Sequence, residues 1–138
     1  MPRILLAEDN PADVYLIREA LVQHEVDCTV RVAPDGRDVL KFLSDVESQP
    51  GEPDLGLIIL DLNLPLHDGI EILRRLRQNT SFSSVPVVIL TSSDSPRDRV
   101  VASELGAACY LRKPSSLDQF LDLGAVFKNL LGTEQQPG

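Results

Sequence analysis

Glu8 and Asp9, Asp61, Thr91 and Ser92, and Lys113 and Pro114 each stand directly after a short apolar run, and together they bring carboxylates, hydroxyls and one ammonium group. Three carboxylates gathered in one place repel, so at neutral pH they hold protons or share a cation. An all-oxygen cluster with few protein ligands suits Mg²⁺, which keeps several waters and prefers a site completed by a substrate phosphate. Lys113 supplies a point charge and Thr91 a hydroxyl donor, the groups needed around the oxygens of a transferring phosphoryl group. Asp61, at the end of the most apolar run (57–60), is the candidate nucleophile. A carboxylate can form an acyl phosphate, and Mg²⁺ would offset repulsion from the incoming group. Glu8 and Asp9 are then metal residues.

The elements that must gather these groups are legible as apolar runs of strand length alternating with amphipathic segments of helix length. Arg3–Ala7 lacks polar alternation and suits a parallel strand buried on both faces. Asn10 offers an N-cap and Pro11 a first-turn proline, which predicts a helix over Pro11–Gln23 with Val14, Ile17 and Leu21 inward and Leu16 and Ala20 beside them. A strand over 28–33 precedes a helix over 36–47 carrying Val39, Leu40, Leu43 and Val46. Residues 48–54 hold proline, glycine and charge with no apolar face, so they form the longest loop. The strand 57–60 stops at Asp61, and a turn with Pro65 leads to a helix marked by Ile72, Leu73 and Leu76 that ends near Gln78.

A fourth strand spans 85–90. Ser95, Pro96, Asp98 and Gly106 delimit a fourth helix whose apolar positions include Val101 and Leu105. The strand 108–112 leads to a last helix capped by Ser115 or Ser116, with Phe120, Leu121, Phe127 and Leu131 inward. Gly124 inside it lowers helix stability by about 1 kcal/mol relative to alanine. Gly132 is expected to end that helix and residues 133–138 to fray as a flexible tail. Five strands alternating with five helices are too few for a closed eight-stranded barrel. The expected fold is α/β, an open five-stranded parallel sheet, doubly wound, with its site outside the carboxyl ends of the strands.

With 138 residues, of which 43% are hydrophobic and 25% charged, the chain has the balance of one domain, placed at residues 1–132. Its 13 Lys and Arg against 21 Asp and Glu give a net charge of -8, which disfavours sequence-independent binding to nucleic acid or anionic lipid. Two cysteines are too few for a disulfide framework, the start reads as a strand rather than a signal peptide, and no apolar run approaches a membrane span. A cytoplasmic location with reduced thiols is expected.

The sequence resembles the receiver domains of two-component response regulators, including the chemotaxis response regulator, over Arg3 to about Leu131. The matching pieces are Glu8-Asp9-Asn10, Leu60-Asp61-Leu62-Asn63-Leu64-Pro65 with Asp68-Gly69, Leu90-Thr91-Ser92 and Tyr110-Leu111-Arg112-Lys113-Pro114, in order and each at an expected strand end. The resemblance implies a flavodoxin-like strand order 2-1-3-4-5 and Asp61 as the acceptor of a phosphoryl group from a sensor histidine kinase. The domain would catalyse its own phosphorylation and dephosphorylation. It implies that Asp9 ligates Mg²⁺ directly, Glu8 mainly through water, and Asp61 and the Asn63 carbonyl complete the shell. Thr91 and Lys113 would bind the phosphoryl oxygens, with Ser92 and Pro114 in the surrounding loops, and Tyr110 would turn inward as Thr91 shifts. It also implies a cis Lys113-Pro114 bond. Asn63 and Ser93 occupy family positions that influence how water reaches the acyl phosphate, and Ser115 stands where many receivers carry an apolar residue.

With no room expected for an output domain, signalling would pass through a downstream protein target or a phosphotransfer protein, or a homodimer through the fourth helix, fifth strand and last helix. Within the family, the long loop before strand three and residues 113–120 are similar to small receivers that partner phytochrome-type kinases. Other candidates have plainer readings. His24 and His67 are expected to face solvent or bond locally, the Arg74-Arg75 and Arg97-Arg99 charges to be solvated helix faces, and Cys28 and Cys109 to be small core residues that do not pair. A flavodoxin-like cofactor binder would need backbone donors where Glu8 and Asp9 stand. A haloacid-dehalogenase-like phosphohydrolase would need an acid where Asn63 stands. A receiver-like interaction module that is never phosphorylated is the remaining alternative.

Overall fold

The computed structural model describes residues 2–48 and 55–135. The elements are β1 (Arg3–Ala7), α1 (Pro11–Gln23), β2 (Thr29–Ala33), α2 (Gly36–Ser48), β3 (Leu55–Leu60), α3 (Gly69–Gln78), β4 (Val87–Thr91), α4 (Pro96–Glu104), β5 (Cys109–Arg112) and α5 (Leu117–Gln135). All strand pairings are parallel and the order is β2-β1-β3-β4-β5. The sheet is therefore the flavodoxin-like one expected.

Strand alternation divides the core into two layers. Leu5, Ala7, Ile58, Leu60, Val87 and Ile89 face one side, where Val39, Phe42 and Leu43 of α2, Ile72, Leu73 and Leu76 of α3, and Ala102 of α4 cover them. Ile4, Leu6, Leu57, Ile59, Val88 and Leu90 face the other, under Ile17 and Leu21 of α1 and Phe120, Phe127 and Leu131 of α5. Apart from Arg3 at the start of β1 and Thr91 at the end of β4, the residues of β1, β3 and β4 are apolar because both faces are covered.

Several boundaries differ from the expectation. β2 starts at Thr29 and β5 at Cys109, and β4 runs from Val87 to Thr91, so Thr91 ends the strand instead of following it. In α4 the fully buried side chain is Ala102, since the small residue lets the short helix sit close to the sheet, while Leu105 packs at the layer's margin. Phe42, passed over in the α2 pattern, is buried with the Arg3 and Arg31 guanidinium groups 4.9 and 5.6 Å from its ring centroid. Ser116, not Ser115, caps α5, its Oγ accepting from the Gln119 N–H at 3.1 Å. That helix continues through Gly132 to Gln135, because a glycine weakens a helix without stopping it when the preceding Leu131 is anchored in the core. Helix thus occupies the first three residues of the expected tail, and 136–138 lie outside the described residues. The expected 48–54 loop lies there too, apart from Ser48, which ends α2. No peptide bond among the described residues is cis, so Lys113-Pro114 is trans, the isomer an X-Pro bond favours intrinsically by about 0.5–1 kcal/mol.

Two side chains tie elements together. The Arg77 guanidinium donates to the carbonyls of Phe82, Ser83, Val85, Leu105 and Gly106, pinning the end of α4 to the α3–β4 connection. Burial pulls its pKa below the ordinary arginine value. The His24 ring, expected to be solvent-facing or locally bonded, instead reaches from the end of α1 to the Leu121 carbonyl of α5, with Nε2 at 3.2 Å. Beside it, a Cβ on Gly124 would fall 2.3 Å from both the Ala20 carbonyl oxygen and His24 Cδ2. Gly124→Ala should therefore destabilise the fold by roughly 1–3 kcal/mol in urea unfolding, against the stabilisation that helix propensity alone gives. An unchanged or raised midpoint would show that α1 and α5 do not need this close approach.

Candidate functional site

Strand ends place the site. The Asp61 N–H donates to the Ala7 carbonyl at 3.0 Å and the Glu8 N–H to the Ala33 carbonyl at 3.1 Å, so both acids are fixed by the last rungs of the sheet. Asn10 turns the chain into α1, its Oδ1 accepting from the N–H groups of Ala12 and Asp13 while its own N–H donates to Glu8 Oε2 at 3.1 Å. Glu8 and Asp61 are buried and Asp9 is exposed at the mouth. One carboxylate oxygen from each of the three lies within 4.8 Å of the others.

Lys113 closes the cluster. Its Nζ lies 2.7 Å from Glu8 Oε1, 2.8 Å from Asp61 Oδ2 and 2.8 Å from Asp13 Oδ2, one carboxylate for each ammonium proton. The Lys113 N–H donates to the Thr91 carbonyl at 2.8 Å, which fixes the side chain's root to the end of β4. Asp61 Oδ1 accepts from the Asn63 N–H at 2.9 Å, and Asn63 Nδ2 donates to Thr91 Oγ1 at 3.3 Å. Thr91 is fully buried and its Oγ1 also accepts from the Ser93 N–H at 3.3 Å. Asp61, Asn63, Thr91 and Lys113 thus form one connected network. Ser92 is exposed and Pro114 half-buried at its edges.

Burial pushes the Glu8 carboxyl up to about 7, with Asp61 adding to the rise, while Lys113 and the Asn10 N–H pull it down by less. For Lys113, burial pulls downward, yet the hydrogen bonds to Asp13, Asp61 and Glu8 prevail and raise its pKa, so it stays charged throughout the neutral range. Four acids around one ammonium leave excess negative charge. Oxygen donors, that excess and an open mouth at Asp9 fit a small hard cation such as Mg²⁺, with Glu8, Asp9 and Asp61 as its carboxylates.

Tyr110 joins this network at its edge, through Ser93. Its hydroxyl donates to the Ser93 carbonyl at 3.2 Å, and the Arg99 guanidinium lies 4.5 Å from its ring centroid. Arg99 also pairs with Asp94 at 3.3 Å, so this arginine is no simple solvated charge. Arg75 fits the solvated-face expectation, in an exposed pair with Glu71 at 3.1 Å.

A family model for the response regulator receiver domain matches residues 4–123. The chain belongs to this family. The receiver is 37% identical to the response regulator Rcp1 of Synechocystis over 95% of this chain and 85% of that one. The Mn²⁺-bound structure of Rcp1 superposes with a TM-score of 0.86 at 34% identity, covering all of both chains. The phosphorylated cyanobacterial phytochrome response regulator RcpA gives 0.86 at 33% identity over 99% of each. The transcriptional regulatory protein TrcR of Mycobacterium tuberculosis is 38% identical over 86% of this receiver, which spans 42% of TrcR's length.

Asp13 escaped the sequence reading. An acid in the first turn of a helix satisfies the helix dipole by itself, so nothing local demands another partner. The available signal was its place one turn beyond Asp9, on the end of α1 nearest the carboxyl edge. Cys28 and Cys109 are free, on opposite margins of the sheet, as expected. No helix among the described residues is long and apolar enough to cross a membrane.

Because Glu8 titrates near 7 when folded and near 4.5 when unfolded, the stability it contributes is complete below about pH 4.5 and drains away as pH rises to about 7. In EDTA, the stability of the native chain relative to Glu8→Gln should fall across that window, by on the order of 3 kcal/mol, and stay level above it. Urea midpoints of both proteins between pH 4.5 and 8 measure this. A difference that grows with pH would contradict the assignment.

Proposed function

We propose that this receiver is a Mg²⁺-dependent phosphoacceptor switch, built from β1 through α5, in which Asp61 takes a phosphoryl group from a phosphohistidine of a sensor histidine kinase. The observation that carries this reading is the buried Asp61 carboxylate held between Lys113 Nζ and the Asn63 N–H, at the meeting point of the acid cluster. An Asp61 oxygen attacks phosphorus, the phosphorus–nitrogen bond of the phosphohistidine breaks, and the leaving imidazole takes up a proton from water. The products are an acyl phosphate and a neutral histidine.

Glu8, Asp9, Asp61 and the Asn63 carbonyl would hold Mg²⁺, whose charge would offset the build-up of negative charge on the phosphoryl oxygens. Lys113 gives the same oxygens a fixed positive partner from the β5 side, and the Thr91 hydroxyl a donor from β4. Ser92 and Pro114 shape the loops around them. The network in which Asn63 Nδ2 and the Ser93 N–H both point at Thr91 Oγ1 links the phosphoryl position to Ser93, whose carbonyl holds Tyr110. Movement of Thr91 toward the phosphoryl group loosens that hold, and Tyr110 turns inward. The surface of α4, β5 and α5 changes with it and carries the signal to a downstream protein, a phosphotransfer protein or a second copy of the chain. Hydrolysis of the acyl phosphate by water, admitted past Asn63 and Ser93, resets the switch.

The similarity to RcpA, a phytochrome response regulator, with near-complete mutual coverage, favours a phytochrome-type kinase as the phosphoryl donor. Incubation with Mg²⁺ and a small acyl phosphate, followed by intact-mass analysis, should show one added phosphoryl group. It should be absent in Asp61→Asn and in EDTA. No adduct under any donor would favour a module that is never phosphorylated.

Tyr110→Ala should leave that adduct intact and reduce the gain in partner affinity on phosphorylation at least fivefold, about 1 kcal/mol, in titration calorimetry. An undiminished gain would remove Tyr110 from the switch.

A further inference from the structure

We propose that Asp13 is a positioning residue of this site, a tether that keeps the Lys113 ammonium at the phosphoryl position when a cation draws Glu8 and Asp61 away from it. The proposal rests on Asp61 being the phosphoacceptor. Asp13 Oδ2 lies 2.8 Å from Lys113 Nζ, as close as Asp61, and the two residues stand 100 apart in sequence. Lys113 and Asp13 are both largely buried, with side-chain exposures of 11% and 18%.

Glu8 and Asp61 have two competing roles. Their oxygens converge with those of Asp9 as a cation site, and the same two carboxylates hold Lys113. A dication and an ammonium group drawn to the same oxygens repel one another, so loading the cation weakens two of the three bonds that fix Lys113. Asp13 is outside the cation trio and can keep its bond. Without that bond, a side chain with four rotatable bonds regains the freedom its partners had suppressed, and must be ordered again in each encounter with a phosphoryl donor. The first-turn position explains why the tether is rigid: Asn10 caps α1 at the Ala12 and Asp13 N–H groups, and Ile17, Ala20 and Leu21 anchor the helix in the core.

Two measurements test the proposal. In nitrogen-15 spectra of the native chain saturated with Mg²⁺, the Lys113 ammonium cross-peak should remain protected from solvent exchange, and in Asp13→Ala it should vanish. Its loss from the native protein on adding Mg²⁺, or its survival in the variant, overturns the tether. In the second, phosphorylation by a small acyl phosphate at saturating Mg²⁺ should slow about tenfold in Asp13→Ala and recover at least partly in Asp13→Asn, which keeps an oxygen acceptor. In a Lys113→Ala background the Asp13 substitution should add nothing further. An unchanged or faster rate in Asp13→Ala, or an equal loss without Lys113, refutes the tether while leaving Asp61 as acceptor. Failure of the native chain itself to accept a phosphoryl group refutes the underlying reading instead.

Discussion

One ammonium group, that of Lys113, faces three carboxylates contributed by three separate elements: Glu8 after β1, Asp13 on α1 and Asp61 after β3. Each of those acids would be costly to bury alone. Their proximity is tolerable because one fixed cation neutralises part of the charge, and the remainder suits the site to a second cation. Burial sets the Glu8 carboxyl near 7 against the smaller downward pull of the lysine, while the three acids keep Lys113 ionised. Removing the lysine would leave three or four acids facing one another at the carboxyl edge of the sheet.

Holding these groups together falls to parts of the chain that carry no chemistry. β1, β3 and β4 are buried on both faces, so their ends are fixed by packing, and the first residues beyond them inherit that precision. On the α1 side, the close approach at Gly124 and the His24 bond to Leu121 lock α1 against α5. That packing orients the first turn of α1, and with it Asp13, toward Lys113. On the opposite layer, Arg77 fixes the end of α4, while near the helix's beginning the Tyr110 hydroxyl bonds the Ser93 carbonyl, Arg99 stacks on Tyr110, and Asp94 pairs with Arg99 and Arg112 at the surface.

Much of this was legible in the sequence because it depends on local pattern. Apolar runs of strand length ending in Glu8, Asp61 and Thr91 reveal both the sheet and its reactive edge, and Asn10-Pro11 marks the start of α1 to the residue. What escaped depends on partners distant in sequence. Gly124 reads as a helix defect until Ala20 is seen against it, and His24 as a lone surface histidine until Leu121 is beside it. Asp13 and Arg99 read as ordinary helix charges, since a favourable local role hides a tertiary one. Gly132 reads as a stop signal, yet Leu131 holds the helix through it. The cis Lys113-Pro114 bond came from resemblance alone, and the bond is trans.

Asp61, of all the acids gathered at the sheet's carboxyl edge, is the one proposed to become an acyl phosphate. Borohydride reduction of the chain after treatment with Mg²⁺ and an acyl phosphate converts a phosphorylated aspartate to homoserine, which peptide mass analysis locates. Homoserine at position 61 alone is the predicted result. Homoserine at position 9 or 13, or none at position 61 while the chain carries a phosphoryl group, would contradict it.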